Sequence, residues 1–322
     1  MENSLGIMAD FLTSEHKKKI EAVTSEHGLK IHYFTDDADI AERIGECEIL
    51  YGYIPAELLC EAKSLKWHAC ASAGVDAYCA PYIYANRDVL LTNSAGAYGI
   101  TISEHIIMTL LMLMRRMPEY RTVTDARGWR NIGRIRSIYG STLTVVGTGN
   151  IGTSFAERAK ALGAACIRGV RRTNRPLPRC FDESYSTTDL DFALVGADAV
   201  ILCIPGTKET SNLMSEKRIS LLGENTVLVN VGRGSAVDED ALAAALNSKR
   251  LGGCALDVTA VEPLPASSPL WTARNCIITP HVSGNMSLGV TCDIDVDMFC
   301  ENLGCYCRGE KLAQLVDRSA GY

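Results

Sequence analysis

Three side chains stand where apolar runs end, and their chemistries complement one another. Arg233 lies in Asn230-Val231-Gly232-Arg233-Gly234. Glu262 lies in Val261-Glu262-Pro263-Leu264-Pro265, shortly after a run ending Asp257-Val258, and His281 follows Thr279-Pro280. A guanidinium offers a planar fork that binds a carboxylate through two parallel hydrogen bonds, and it can polarise a neighbouring carbonyl. A histidine changes charge near neutral pH, so it can give or take a proton. A carboxylate beside it favours the charged imidazolium and can aim the ring. Together the three meet the demands of reducing a carbonyl that sits next to a carboxylate: an anchor, a proton donor, and a group that orients the donor. The chain has six histidines. His16 and His27 fall in a polar helix and its turn, His32 and His68 in or beside early strands, and His105 in an apolar helix. Only His281 lies at a strand's carboxyl end in the second half.

Such chemistry needs a reductant, and the sequence offers a place for one. Gly147-Thr148-Gly149-Asn150-Ile151-Gly152 is a G-x-G-x-x-G placed directly between an apolar strand-like run, Thr142–Val146, and a helical stretch, Ser154–Leu162. That context makes the pattern specific for a dinucleotide. Gly147 permits the tight turn, Gly149 the close approach of backbone to pyrophosphate, and Gly152 close helix–strand packing. The amides at the helix start, around Asn150 and Ile151, then face the phosphates. An NAD site usually carries an acid at the end of the second strand; here Arg171, Arg172 and Thr173 stand there, with Arg168 and Arg175 adding charge. A guanidinium binds a 2′-phosphate that a carboxylate would repel, so NADP is favoured over NAD. A solvated basic turn is the plainer alternative.

These residues need a scaffold with strand ends gathered on one edge. Strand-like runs recur at Thr142–Val146, Ala165–Val170, Ala199–Ile204, Thr226–Val231, Cys254–Val258 and Cys276–Thr279. Most are continuously apolar, as strands buried on both faces are. Helical stretches at Ser154–Leu162, Asp189–Val195 and Asp238–Ser248 separate them, so the fold class is α/β with a doubly wound parallel sheet. A smaller α/β unit precedes it, with strands expected at Ile31–Phe34, Glu48–Tyr53, Trp67–Ala71 and Val89–Thr92, and a helix over Ser14–Val23 capped by Ser14. Thr101–Arg116 reads as an apolar helix. The chain of 322 residues has a formal net charge of -6, which argues against general nucleic-acid binding. No run approaches the ~18 apolar residues of a membrane helix, and no signal peptide is evident at the first residues. The thirteen cysteines read as reduced thiols in a cytoplasmic protein. Cys300, Cys305 and Cys307 lack the C-x-x-C spacing and nearby histidine of a metal site, and read as packing residues.

The chain resembles the D-isomer-specific 2-hydroxyacid dehydrogenase family. The matching strings run in the family's order: Ser72-Ala73-Gly74-Val75-Asp76, Gly147 to Gly152, Cys203-Ile204-Pro205, Val231-Gly232-Arg233-Gly234, Leu256-Asp257-Val258, Glu262-Pro263-Leu264-Pro265 and Thr279-Pro280-His281. The resemblance implies two Rossmann-like domains with the active site in the cleft between them, usually in a homodimer. Residues 1–98 with 287–322 would be the substrate domain and 99–286 the dinucleotide domain, hinged near Gly96–Gly99 and Gly284–Leu288. Arg233 would bind the substrate carboxylate and carbonyl, His281 would exchange the proton, and Glu262 would hydrogen-bond His281. Ser72, Ala73 and Gly74 would offer amides to the carboxylate, and Tyr53, with Tyr51 and Tyr98, could line the side-chain pocket. Around the cofactor would stand Cys203, Pro205, Val231, Asp257 and Gly284, besides the glycine loop, Arg171, Arg172, Thr173, Arg233 and His281. The substrate implied is a small 2-keto acid, with glyoxylate, hydroxypyruvate, 2-ketoisocaproate and phenylpyruvate all open, and the product a D-2-hydroxy acid. A non-enzymatic nicotinamide sensor of the corepressor type would keep the same residues and is the rival reading.

Overall fold

The structure, a computed structural model, describes residues 4–80, 82–172 and 176–321. They form two compact units, Met1–Tyr98 with Met286–Tyr322, and Gly99–Asn285.

The first unit is a parallel sheet of β1 (Ser4–Met8), β2 (Lys30–Tyr33), β3 (Ile49–Gly52), β4 (Trp67–Cys70) and β5 (Leu90–Thr92), in the order β2-β1-β3-β4-β5. Helices α1 (Ser14–Glu26) and α2 (Asp37–Arg43) follow β1 and β2. On β3, Ile49 and Tyr51 enter one core cluster and Leu50 another, so the strand is covered on both faces, which is why it is uniformly apolar. β1 escaped the sequence reading. The cap of α1 is Thr13, not Ser14: its hydroxyl accepts from the His16 amide at 3.2 Å while His16 Nδ1 accepts from the Thr13 amide. The C-terminal helix, Gly289–Cys307, closes this unit. Its Phe299 stacks on Tyr51 at 3.8 Å, and Cys300, Cys305 and Cys307 pack against the same core. Its Asp295 is buried and accepts from the Tyr51 hydroxyl at 2.6 Å and from the Ser94 hydroxyl. Burial raises the Asp295 carboxyl above its ordinary value, against the pull of those two hydroxyls.

The second unit opens with α3 (Gly99–Met114) and α4 (Met117–Asp125), then alternates strand and helix: β6 (Thr142–Val146), α5 (Asn150–Ala161), β7 (Cys166–Arg171), β8 (Glu183–Ser186), α6 (Leu190–Leu194), β9 (Ala199–Leu202), α7 (Glu216–Ile219), β10 (Val227–Asn230), α8 (Glu239–Asn247), β11 (Gly253–Leu256) and β12 (Cys276–Ile278). All pair in parallel in the order β12-β11-β10-β9-β6-β7-β8, the doubly wound Rossmann arrangement with one added strand. The sheet has seven strands where six were expected. The extra one, Glu-Ser-Tyr-Ser, is a half-exposed edge strand without an apolar run. The helix expected over Asp189–Val195 is a short 3-10 turn, Thr187–Asp189, followed by α6. α5 begins at Asn150, four residues before the expected start, because Gly149 is its N-cap. α3 packs against α5 and β10 and covers one sheet face. Among the described residues no helix is long and apolar enough to cross a membrane, and no three His, Cys, Asp or Glu side chains gather as a metal site.

Candidate active site

Strand order in the second unit reverses between β6 and β9, and ligands of such sheets bind off the carboxyl ends of strands at that point. The glycine loop sits there. Gly147 has φ of 97°, and a Cβ on it would collide with the Cys203 carbonyl beyond β9, so both turn and close approach demand glycine. A Cβ on Gly152 would collide with the Gly147 carbonyl, so the third glycine brings α5 against the loop. At Gly149 a Cβ would meet nothing within 4 Å, and no side chain caps the start of α5, where Asn150 and Ile151 form the first turn. The loop thus leaves open space in front of a helix N-terminus, where amides and the helix dipole favour an anion.

Two neighbouring strand ends complete this side. Arg171 is the last residue of β7 and its Nη1 donates to the Pro176 carbonyl at 3.3 Å, while Arg172 is exposed. Thr173 and Arg175 lie outside the described residues. Arg168 is engaged elsewhere: it pairs with Glu183 of β8 at 3.2 Å and donates to the Ala193 and Val195 carbonyls, so it holds the edge strand and α6. After β9, Pro205 lies in a loop where the Thr210 hydroxyl donates to its carbonyl at 2.7 Å.

Arg233 is held by its own neighbours. The Asn230 side chain accepts from the Gly232 amide and donates to the Arg233 carbonyl, both at 3.0 Å, folding the loop after β10 back on its strand end. A Cβ on Gly232 would press on the Ile204 backbone, and one on Gly234 would collide with the Thr259 carbonyl. Both glycines flanking the arginine are therefore needed to wedge its loop between those that follow β9 and β11. Val231 is buried, whereas Arg233 is half-buried and its Nη1 donates to the Gly232 carbonyl at 2.8 Å.

His281 and Glu262 meet. His281 Nδ1 lies 2.8 Å from Glu262 Oε2, with the side chains 51% and 39% exposed, so the pair is open to a ligand. Glu262 Oε1 accepts from the Thr259 amide at 3.0 Å, which fixes the carboxylate from behind. His281 itself has φ of 53°, a left-handed conformation that costs a non-glycine residue roughly 1–3 kcal/mol. Asp257 offsets that cost. Its carbonyl accepts from the His281 amide at 2.8 Å; its carboxylate accepts from the Val282 and Ser283 amides at 3.0 Å and from the Thr279 hydroxyl at 2.6 Å. Burial alone would raise the Asp257 carboxyl, but hydrogen bonds from Ser283, Thr279 and Val282 hold it below the ordinary carboxylate value. Gly284 follows this turn, half-buried. The sequence placed Asp257 near the cofactor; that it clamps the turn carrying His281, with Thr279, went unread, since the bonds form only when β11 and β12 pair.

The remaining candidates belong to the first unit and group at the carboxyl ends of its strands. The Ser72 and Ala73 carbonyls accept from the Ser94 amide at 3.1 Å and the Asn93 side chain at 3.0 Å, leaving Ser72, Ala73 and Gly74 half-buried. The Tyr98 hydroxyl donates to the Ala71 carbonyl at 2.5 Å. Its proton thus committed, it accepts from Tyr53 at 3.3 Å. Tyr53 is 40% exposed and has the Phe11 ring edge-on to it, whereas Tyr51 is buried under Phe299 and is core.

Residues 107–283 match the family described as "D-isomer specific 2-hydroxyacid dehydrogenase, NAD binding domain". A glyoxylate/hydroxypyruvate reductase B from Erwinia tasmaniensis is 31% identical over 81% of this chain and 82% of its own length. A D-isomer-specific 2-hydroxyacid dehydrogenase family protein from Aeromonas salmonicida has a solved structure that superposes with a TM-score of 0.85 at 32% identity, over 99% of this chain and all of the other. The fold is also that of an NADPH-dependent glyoxylate/hydroxypyruvate reductase from Sinorhizobium meliloti, solved with NADP and sulfate: TM-score 0.83, 24% identity, 100% of each chain.

Proposed function

Since this chain belongs to the D-isomer-specific 2-hydroxyacid dehydrogenase family, an NAD(P)-dependent oxidoreductase acting on CH–OH groups, we propose that it reduces a small 2-keto acid to the D-2-hydroxy acid and prefers NADPH. The observation that carries the proposal is the His281–Glu262 pair at 2.8 Å, on a turn that Asp257 holds at the carboxyl ends of β11 and β12. With Nδ1 donating to the Glu262 carboxylate, His281 has Nε2 left to protonate the forming alkoxide, and to take the proton back in oxidation. Glu262 holds the ring in that orientation through Nδ1. Arg233 holds the substrate carboxylate with its fork and polarises the carbonyl.

The residues fit a nicotinamide dinucleotide: open space at Gly149, an uncapped α5 N-terminus, and Arg171 at the end of β7. When bound, NADPH supplies the hydride. The amides at the start of α5 bind its pyrophosphate, and Arg171 and Arg172 favour a 2′-phosphate. The names of the relatives make glyoxylate and hydroxypyruvate the first substrates to test. All thirteen cysteines are free thiols, which accords with a reducing compartment, the cytoplasm in our reading. We further assign a homodimer, seated on the unit-2 face where Met108, Met112, Met117 and Ile135 line a concavity of about 490 Å³. NADPH oxidation measured with a panel of 2-keto acids tests the reading: turnover of none of them would refute it.

A further inference from the structure

His105 stands on α3 with its side chain only 12% exposed, behind the turn that carries His281. Its Nε2 lies 3.3 Å from the Thr279 hydroxyl and 4.0 Å from Asp257 Oδ1. The directions of these bonds follow from proton counting. A carboxylate only accepts, so the single Thr279 hydroxyl proton goes to Asp257, at 2.6 Å. The Thr279 oxygen must then accept from His105, which therefore carries its hydrogen on Nε2. The chain of donors runs from His105 to Thr279 to Asp257, and Asp257 in turn grips the amides of Val282 and Ser283 and, through its carbonyl, that of His281.

We infer that His105 is a positioning residue for the proton-transfer histidine: by donating to Thr279 it fixes the hydroxyl that satisfies Asp257, and so fixes the left-handed turn that aims His281. The inference rests on the reading that His281 moves the substrate proton. Burial pushes the His105 imidazole below its ordinary value, against the pull of Asp257, which makes the neutral Nε2–H form the one that meets Thr279 at neutral pH. A lone histidine inside an apolar helix otherwise has no evident use, since leucine would pack there at less cost.

The test compares His105→Phe with His105→Gln, which keeps an N–H donor. His105→Phe should lower kcat about tenfold or more, the scale of a small misplacement of a reacting group, while the KM for keto acid and the Kd for NADPH stay within about twofold. His105→Gln should recover most of the lost kcat. Unchanged kcat in His105→Phe, or an equal loss in both variants together with weaker NADPH binding, would overturn the inference. A second measurement needs no variant: the imidazole ¹⁵N shifts of the wild-type protein at neutral pH should show His105 protonated at Nε2, and a bare Nε2 would also overturn it. Should the wild type turn over no keto acid, the proton-transfer reading falls and the positioning role with it. Should the wild type be active and His105→Phe equal it, only the positioning role falls.

Discussion

Arg233, Glu262 and His281 are far apart in sequence, yet each follows a strand of one sheet, and their separate tasks give separable predictions. Lysine at 233 keeps the charge and loses the fork, so Arg233→Lys should lower kcat/KM about 10–100-fold across keto acids, the equivalent of a charged hydrogen bond of ~1.5–3 kcal/mol. Near-normal kcat/KM would make Arg233 a structural residue of its glycine-flanked loop. Glu262→Gln removes the negative charge 2.8 Å from His281 Nδ1. His281 Nδ1 then faces a neutral amide in place of a charged acceptor, which weakens the bond that orients the ring, so kcat for reduction should fall about tenfold while the Kd for NADPH is unchanged. An unchanged kcat would mean that Glu262 does not hold the ring that moves the proton. Arg171→Asp should weaken NADPH selectively by about 1–3 kcal/mol and spare NADH, read as the ratio of the two Kd values. Equal efficiency of the unaltered protein with both cofactors would remove the basis for the NADP preference. The sequence made these residues legible by type and by position after apolar runs. It hid the positioning roles of Asn230, Thr259 and Asp257, because most of their bonds are to or from backbone groups that meet only in the folded turns.

At the scale of elements, the strand ends are where sequence and structure part. β6, β9 and β10 were readable because a strand covered on both faces must be apolar throughout. β8 was not, since Glu183–Ser186 forms an edge strand held by Arg168–Glu183 and backbone pairing with β7. The start of α5 was missed because Gly149, Asn150 and Gly152 are poor helix formers, the last kept by its close approach to the Gly147 carbonyl. The turn after β12 carries a stability prediction. Asp257 has a depressed pKa in the fold, so its contribution is present above the unfolded carboxylate value, ~3.9, and is lost as pH falls through the folded value. Asp257→Asn replaces a carboxylate oxygen with an N–H₂ facing amide donors, and should cost about 1–3 kcal/mol at pH 7. Thermal midpoints measured against pH should show that deficit closing below about pH 4. Equal midpoints at pH 7 would mean that Asp257 does not clamp the turn.

The chain carries two parallel sheets and a formal net charge of -6, and it exposes apolar side chains in the early part of the second unit. Met108 and Met117 are each 48% exposed, Tyr139 is 77% exposed and Trp129 wholly so. Met108 and Met117 line one concavity with Met112 and Ile135, and apolar exposure gathered in this way marks an interaction surface. Sedimentation at micromolar concentration should give a dimer, and Met108→Glu should shift it toward monomer; a monomeric wild type would leave the patch to another partner. In the proposed reaction a 2-keto acid is reduced with a proton from His281. The most direct measurement is NADPH oxidation with glyoxylate and hydroxypyruvate, for the unaltered protein and for His281→Ala, alongside NADPH binding to both. Turnover is expected in the first, a loss of about 10²–10⁴-fold in the second, and similar binding in the two. Near-normal turnover by His281→Ala would contradict it, as would a wild-type protein that binds NADPH tightly and reduces neither acid, the behaviour of a nicotinamide sensor.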